Sequence, residues 1–176
     1  MGRLISPKSA LRVRRRLSRL GKAVVFTNGV FDLLHIGHVR YLRQARDLGD
    51  VLMVGLNSDA SVRVLKGKDR PWVPELERAE VLCALDRVDY VILFDQLTAV
   101  DLVTVLKPDI YVKGGDYAPS GSGSADGTER ASARPIPEAD AIARYGGKVV
   151  LVSFTAGHSS TVLAERIRSS SSGVER

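Results

Sequence analysis

Residues 24–44 read V-V-F-T-N-G-V-F-D-L-L-H-I-G-H-V-R-Y-L-R-Q, which is the pattern of a strand, a loop and a helix. The apolar run that ends at Phe26 predicts a strand, and apolar residues at helical spacing from Gly37 onward predict a helix. In an open α/β sheet, ligands bind where a strand ends and the next helix directs its free N–H groups at an anion. The stretch therefore predicts an anion site at the carboxyl end of a strand.

Two histidines lie on this predicted turn. His35 and His38 can face the same phosphate from one helix start, and Gly37 between them lets the backbone approach it. Imidazoles placed in this way neutralise charge as it develops on phosphate oxygens. The alternative is a zinc site, but only Cys83 and His158 remain in the chain as further sulfur or nitrogen ligands. The pair is therefore interpreted as a phosphate site without a dedicated metal.

The segment T-N-G-V-F-D-L-L-H-I-G-H resembles the signature of the cytidylyltransferase-like nucleotidyltransferases, whose H-x-G-H motif binds the triphosphate of a nucleotide. Within this superfamily the chain most resembles the domain that makes ADP-heptose from heptose 1-phosphate and ATP. The resemblance implies catalytic roles for His35 and His38, and a substrate-binding role for Asp32. The residues of this segment assigned to nucleotide binding are Thr27, Asn28, Gly29, Phe31, Gly37 and His38.

A basic loop follows the next predicted strand and helix. It reads K-G-K-D-R-P from Lys66 onward, and its proline and charge exclude regular structure. On its own, such a loop could equally be a solvated connection. In the resembling family, however, its lysine reaches the phosphates and the next helix carries an arginine that matches Arg78. Lys66 is therefore assigned to catalysis and substrate binding, and Arg70 and Arg78 are assigned to substrate binding.

Two further segments follow predicted strands. The pentapeptide K-G-G-D-Y at 113–117 is shared with the heptose enzymes, which assigns Lys113, Gly114 and Asp116 to substrate binding, although alone it could be a capped glycine turn. The segment G-H-S-S-T at 157–161 resembles the family's G-x-S-T-T motif, whose hydroxyls and helix N-terminus bind nucleotide phosphates. This motif assigns Ser159, Ser160 and Thr161 to nucleotide binding, whereas alone they would be helix caps. The resemblance gives His158 no role.

The order of these segments predicts a three-layer, Rossmann-like α/β fold with a five-stranded parallel sheet. The chain of 176 residues is long enough for one domain, which we place at 23–168. The glycine- and serine-rich stretch 118–134 is predicted to be a flexible insertion, either passive or covering the sugar site. Residues 1–22 are predicted to form a basic helical arm, and residues 169–176 a disordered tail.

The positive charge of the chain is concentrated at its amino end. The net charge is +6, and residues 1–22 contribute eight cations and no acid, which leaves −2 for the remainder. Leucines and valines at helical spacing predict that this helix packs its apolar side on the domain, with the arginines in solvent. The alternative is a nucleic-acid arm, but no aromatic residue is present there for base stacking, so nucleic acid is not expected as a partner.

The composition indicates a cytoplasmic protein. No apolar run approaches the roughly 20 residues that cross a bilayer, so no membrane partner is expected. The single cysteine, Cys83, lies in a helical apolar pattern and is interpreted as a core residue rather than a nucleophile.

The motifs predict a nucleotidyl transfer, and the resemblance alone implies that AMP is transferred from ATP to a sugar 1-phosphate, D-glycero-D-manno-heptose 1-phosphate. Mg²⁺ carried by the nucleotide phosphates is expected, and the resemblance implies a homodimer. Phe154 stands where glycerol 3-phosphate cytidylyltransferases have an arginine, which favours the heptose enzymes. A cytidylyltransferase of that kind and a nucleotide sensor without catalysis remain the alternatives.

Overall fold

The computed structural model describes residues 1–114, 117–118, 134–152 and 160–171. The elements, in chain order, are β1 (Arg3–Leu4), α1 (Pro7–Arg19), β2 (Val24–Gly29), α2 (Ile36–Arg46), β3 (Val51–Asn57), α3 (Asp59–Lys66), α4 (Glu75–Ala84), β4 (Tyr90–Phe94), α5 (Val100–Leu106), β5 (Ile110–Gly114), β6 (Tyr117–Ala118), β7 (Arg134–Pro135), α6 (Ala139–Ala143), β8 (Lys148–Val152) and α7 (Ser160–Ser171).

The central sheet is parallel and has six strands in the order β1-β4-β3-β2-β5-β8. The predicted α/β class and parallel sheet are confirmed, but the predicted number of five strands is wrong. The additional strand is β1, whose two residues pair with Tyr90 and Val91 of β4. Two residues are too few to show any periodicity, so only the long-range pairing reveals this strand.

Side chains of the central strands alternate between two apolar cores. In β3, Leu52, Val54 and Leu56 face one core, which α2 and α4 cover. Met53 faces the other, which α1, α5 and α6 cover. A parallel sheet covered on both faces reads as a continuous apolar run because neither side meets water. Burying each such side chain contributes about 1.5–3 kcal/mol, so these layers hold the strand ends rigidly in place.

Helix α1 packs against the sheet as its pattern predicted, with Ala10 fully buried. One arginine departs from the expectation that all of them lie in solvent. The Arg14 guanidinium is 13% exposed, and its Nη2 lies 2.9 Å from Asp109 Oδ1. It also donates to the carbonyl oxygen of Lys107, the residue that ends α5. Residues 1–22 therefore contribute both a strand and a helix to the packed domain.

The carboxyl end of the chain also differs from the sequence expectation. Helix α7 continues to Ser171, so residues 169–171, which were assigned to a disordered tail, are helical. Most of the predicted insertion, residues 119–133, lies outside the described residues, and its flexibility stays a prediction. Among the helices described, none is both long and apolar enough to cross a bilayer.

The order in which strands are added to the sheet reverses between β2 and β5. From β2 the chain proceeds to β3 and β4 on one side, whereas β5 and β8 lie on the other. At such a reversal the loops leave the sheet in opposite directions and open a crevice at the carboxyl ends of the strands. The loop after β2 carries both histidines, and β5 ends at Gly114, so both predicted segments meet at this crevice.

Candidate active site

The two histidines cap the amino end of α2. His35 occupies the N-cap position, and its Nδ1 accepts a hydrogen bond from the backbone N–H of Gly37 at 3.1 Å. In return, Nδ1 of His38 accepts from the backbone N–H of His35 at 3.4 Å. The rings stack with their centroids 3.9 Å apart. Because each Nδ1 accepts, either ring carries its proton on Nε2 when it is neutral.

His38 is uncharged at neutral pH. Its pKa is lowered from 6.5 to about 4, chiefly by burial and to a smaller extent by the electrostatic effects of His35 and Lys66. Removal from water disfavours the imidazolium form, as do neighbouring cations. The side chain of His38 can therefore donate a hydrogen bond from Nε2 without first losing a proton. The effect of Lys66 also shows that the end of α3 lies near the histidines, as the motifs predicted.

Phe31 supports the imidazole of His38 from beneath. Its ring is 6% exposed, and its centroid lies 5.3 Å from that of His38. The backbone of Phe31 is left-handed, with φ of 47°, which costs a bulky residue about 1–2 kcal/mol. Gly29 makes room for this conformation, because a Cβ there would lie 3.0 Å from the Phe31 ring. The structure thus places Phe31 in the core below the site, which does not favour the predicted nucleotide contact through its side chain.

Thr27 is also placed differently from the expectation. It is fully buried, and its hydroxyl lies 2.6 Å from the hydroxyl of Tyr41. Tyr41 in turn donates to the carbonyl oxygen of Val112 in β5 at 2.9 Å. The Thr27 side chain therefore holds α2 to the sheet and does not face the crevice. Sequence reasoning missed Tyr41, although a hydroxyl on the apolar face of α2, one turn beyond His38, was the available signal.

We expect Tyr41→Phe to lower the free energy of unfolding by about 1–3 kcal/mol, because it leaves the Val112 carbonyl unpaired in the core. Turnover should fall a few-fold because α2 carries both histidines. Tyr90→Phe is the matched control, since its hydroxyl accepts from Arg3 at an exposed position. Urea unfolding of the two variants tests the difference. Equal effects would show that the Tyr41 hydroxyl does not position α2.

Asp32 joins the histidine loop to the basic loop after α3. Its Oδ1 accepts from the backbone N–H groups of Trp72 and Val73 at 2.9 and 3.0 Å. Its Oδ2 lies 2.8 Å from Nε of Arg70, as an ion pair without hydrogen-bond alignment. The guanidinium of Arg70 lies 3.6 Å from the centroid of the Trp72 ring. The carboxylate is 1% exposed, so the structure places Asp32 as a positioning residue and not at a ligand-facing surface.

Arg78 is brought close to this loop but is turned away from solvent. Its side chain is fully buried, and it donates to the carbonyl oxygens of Val73, Val30 and Asn57. It also forms an ion pair with Asp59 at 2.7 Å. A guanidinium has five N–H donors, and four of these bonds are made within the protein. Direct substrate binding by Arg78, which the motif implied, is therefore not favoured by its placement.

The ends of β2 and β5 meet in a second polar cluster. Oδ1 of Asn28 accepts from the Tyr111 hydroxyl at 2.6 Å and from Nζ of Lys113 at 2.8 Å. Lys113 is buried and places a positive charge beneath the crevice, next to Gly114 at the end of β5. The structure thus unites Asn28 with Lys113, as the motifs predicted. Asp116 lies outside the described residues, as does Phe154.

Helix α7 meets the histidine loop at its amino end. The Ser160 hydroxyl donates to the carbonyl oxygen of Leu33 at 3.3 Å, so the first turn of α7 lies beside the loop after β2. Thr161 follows within the helix, and Ser159 lies outside the described residues. A cavity of about 260 Å³ separates α7 from the basic loop. Its lining residues are Asp69, Arg70, Trp72, Ala164, Glu165 and Arg168.

The described residues do not fit a protein-held metal. They include no group of three His, Cys, Asp or Glu side chains that could coordinate an ion. The carboxylate nearest to the histidines in sequence, Asp32, is already engaged by two backbone N–H groups and by Arg70. No step of the chemistry is therefore derived through a metal held by this part of the chain.

Paired imidazoles at a helix start, at the strand-order reversal of a parallel sheet, define an α/β protein of the Rossmann-like class, in which ligands bind at that edge of the sheet. A family model described as cytidylyltransferase-like matches residues 26–136. This chain belongs to that family, as the motifs predicted.

Relatives and solved structures extend the similarity. The bifunctional protein HldE of Geotalea uraniireducens is 52% identical over 151 residues, which are 86% of this chain and 28% of that protein. HldE of Citrifermentans bemidjiense is 52% identical over 158 residues, covering 90% of this chain and 29% of that protein. The chain thus spans less than a third of the length of these relatives.

The structure of a lipopolysaccharide core biosynthesis protein from Thermoplasma volcanium is 30% identical, with a TM-score of 0.55. It covers 77% of this chain and 98% of its own. A pantoate-beta-alanine ligase from Francisella tularensis, 13% identical with a TM-score of 0.54, covers 87% of this chain and 67% of its own. At that identity the ligase shows the shared fold alone.

Proposed function

We propose that this chain transfers AMP from ATP to a sugar 1-phosphate, D-glycero-D-manno-heptose 1-phosphate, and releases pyrophosphate. The observation that carries the proposal is the stacked pair of imidazoles on the amino end of α2, at the crevice between β2 and β5, with both Nδ1 atoms bonded to the backbone. Membership of the cytidylyltransferase-like family supports the nucleotidyl transfer. The pentapeptide K-G-G-D-Y, shared with the heptose enzymes, supports the sugar.

The proposed reaction needs no covalent enzyme intermediate. A phosphate oxygen of the sugar phosphate attacks the α-phosphorus of ATP, and the bond from that phosphorus to the bridging oxygen of pyrophosphate breaks. Catalysis of this kind consists of positioning the reactants and neutralising negative charge. His35 and His38 would donate to phosphate oxygens whose charge grows in the transition state. Lys66, Lys113 and Arg70 would supply the fixed positive charge around them.

The amino ends of two helices would hold the triphosphate. Helix α2 presents the positive end of its dipole at the buried Gly37, and α7 begins at Ser160, whose hydroxyl lies beside the loop after β2. The motif also assigns Thr161 to the nucleotide. Ser159 and Asp116 stay assigned as the motifs imply, to nucleotide and to substrate. Mg²⁺ would arrive with the nucleotide phosphates, since three phosphates gather more charge than these cations offset. A homodimer and a cytoplasmic location also stay predictions.

The relatives support the same substrate class. A structural relative that covers most of this chain is named as a protein of lipopolysaccharide core biosynthesis. Polysaccharides are assembled from nucleoside diphosphate sugars, which are the product class of the proposed reaction. The 52% identity to the two bifunctional proteins HldE is consistent with a catalytic module that forms part of a longer protein in those organisms.

The nucleotide and the sugar can be tested together. We expect ATP to exceed CTP by at least about 10-fold in kcat/KM with the heptose phosphate, a difference of about 1.4 kcal/mol that one or two base contacts supply. The measurement is pyrophosphate release with ATP, CTP, GTP and UTP, each with heptose 1-phosphate and with glycerol 3-phosphate.

Three outcomes would contradict the proposal. A preference for CTP with glycerol 3-phosphate would identify a cytidylyltransferase of the glycerol type. A preference for GTP would refute the assigned base while keeping the reaction. Nucleotide binding without pyrophosphate release, with every sugar phosphate, would identify a nucleotide sensor.

A further inference from the structure

Helix α1 carries a row of cations that no part of the proposed reaction uses. At 100° per residue, five exposed side chains fall within an arc of about 100° and extend over about 17 Å of the helix. We call this row the basic stripe; its members are Lys8, Arg12, Arg15, Arg16 and Arg19. All five point the same way because the opposite side of α1, around Ala10, is packed on the sheet.

The basic stripe is not neutralised by nearby carboxylates. Within the described part of the chain, the cations of residues 1–22 that form ion pairs are Arg14, with Asp109, and Lys22, with Asp50. Residues 1–22 contain no acidic residue, and the rest of the chain has a net charge of −2. Five cations held side by side repel one another, so an anionic partner that faces them all would gain attraction from each.

A groove between α1 and α5 adjoins the basic stripe. It encloses about 440 Å³, and its walls combine cations with apolar side chains. The cationic side is formed by Arg14, Arg15, Arg19 and Lys107, and the remainder by Leu11, Ser18, Val105 and Leu106. Val105 is 54% exposed, and Leu20 at the end of α1 is 62% exposed. Apolar side chains of this size, open to water among arginines, fit a partner that has both negative charge and hydrocarbon.

From the basic stripe and this groove, we propose that α1 docks the protein on the surface of an anionic lipid bilayer. The stripe faces a plane of phosphate headgroups, and the groove receives the upper part of a neighbouring acyl chain. A near-surface arginine contributes about a fivefold increase in partitioning, and its alkyl stem lies along apolar surface while the guanidinium stays hydrated. The apolar face of α1 stays committed to the core, so the contact is peripheral and reversible.

Lipid fits these observations better than nucleic acid does. Single-stranded nucleic acid binds through aromatic side chains on which bases stack, and residues 1–22 contain no aromatic residue. The apolar side chains in the groove, Leu11, Val105 and Leu106, have no counterpart on a phosphodiester backbone. The sequence-based expectation of no membrane partner rested on the absence of a spanning segment, whereas the groove is visible only once α1 and α5 are packed together.

The docked orientation leaves the active site open. Arg14, in the middle of α1, contacts Lys107 and Asp109 just before β5, and the helix ends at Arg19, shortly before β2 begins at Val24. The carboxyl-terminal half of α1 therefore lies toward the amino ends of the strands, and α1 covers the face of the sheet opposite to α2. The histidines lie at the opposite ends of the strands. Docking through the basic stripe should therefore not block substrates, and loss of docking should not alter turnover of soluble substrates.

Flotation of the full chain with vesicles tests the proposal. We expect binding to vesicles of phosphatidylglycerol and phosphatidylcholine, weak binding to phosphatidylcholine alone, and a steep loss between about 0.05 and 0.5 M salt as the Debye length shortens. Equal binding to both vesicle types, or no binding to either, would overturn it.

Variants in which arginine is replaced by uncharged glutamine identify the surface that docks. The triple variant Arg15→Gln, Arg16→Gln and Arg19→Gln should lower vesicle partitioning by about 10²-fold, at about fivefold for each cation. The matched control removes three exposed cations from other helices and loops, as Arg43→Gln, Arg63→Gln and Arg87→Gln. Both proteins have the same net charge, so equal losses would show a general effect of charge and refute the assigned surface. Circular dichroism and soluble-substrate turnover confirm that both variants are folded.

A last pair of measurements separates lipid from nucleic acid. Val105→Ser removes apolar surface from the groove without changing charge, and we expect it to lower vesicle partitioning several-fold. Its affinity for a single-stranded oligonucleotide, measured by fluorescence anisotropy, should be unchanged. Tighter binding of the wild-type chain to the oligonucleotide than to anionic vesicles, with no effect of Val105→Ser on either, would replace the bilayer with nucleic acid.

Discussion

Turnover of His38→Ala is expected to be about 10²-fold or more below that of the wild-type chain, because one preorganised donor to the transition state is lost. The Nε2–H of His38 is a donor at neutral pH, since its Nδ1 accepts from His35 N–H and its pKa lies at about 4. Nucleotide binding should change much less than turnover, because the charge on the phosphate oxygens is greatest in the transition state.

The measurement is steady-state pyrophosphate release, together with the dissociation constant for ATP. Gln44→Ala is the control on the same helix, at an exposed position away from the histidines, and should stay within about twofold of the wild-type turnover. An unchanged kcat for His38→Ala would remove this residue from the mechanism. A rise in the ATP dissociation constant as large as the fall in kcat would instead make His38 a binding residue.

The largest effect on stability is expected from Arg78→Met. This change leaves the carboxylate of Asp59 and the carbonyl oxygens of Val73, Val30 and Asn57 without their common donor. Removing one partner of a buried ion pair costs about 3–5 kcal/mol, a large fraction of the stability of a domain this size. Arg63→Met, on the exposed side of α3, is the control and should change the free energy of unfolding by less than about 0.5 kcal/mol.

Denaturant unfolding measures both variants. If Arg78→Met does not fold, Arg78→Lys provides the comparison, since it keeps the charge but loses the forked geometry and should cost about 1–3 kcal/mol. The competing interpretation, which follows from the family motif, is that Arg78 binds substrate. It predicts a raised KM for the sugar phosphate with nearly unchanged stability, and that result would refute the structural role.

The positions of the histidines show which structural features can be predicted from a short stretch of sequence. A strand, a short loop and a helix follow one another within residues 24–44, and the polarity of each element repeats at its own period. The capping geometry of His35 also arises within the segment itself, from residues two and three positions apart. Local interactions of this kind do not depend on how the rest of the chain folds. The strand-loop-helix order, the parallel sheet and the shared location of both histidines were therefore predictable.

The roles of the other motif residues depend on distant contacts. Asp32 meets the backbone of Trp72 and Val73, which lie 40 and 41 residues further along the chain. Thr27 and Arg78 carry polar groups that look available in the sequence, yet packing buries both. A motif records which residue type occupies a position, whereas burial and partners decide whether its polar atoms face a ligand or the protein. For these three residues only the tertiary structure separates support of the site from contact with substrate.

The sequence by itself determined the class of fold and the place of the paired histidines after β2, because apolar periodicity and helix capping are local. Only the tertiary structure decided that β1 adds a sixth strand, that α1 and α5 enclose a groove beside the basic stripe, and that His38 titrates near pH 4. Each of these three features depends on which surfaces come together and on how much water they exclude. No single position of the chain encodes those two properties.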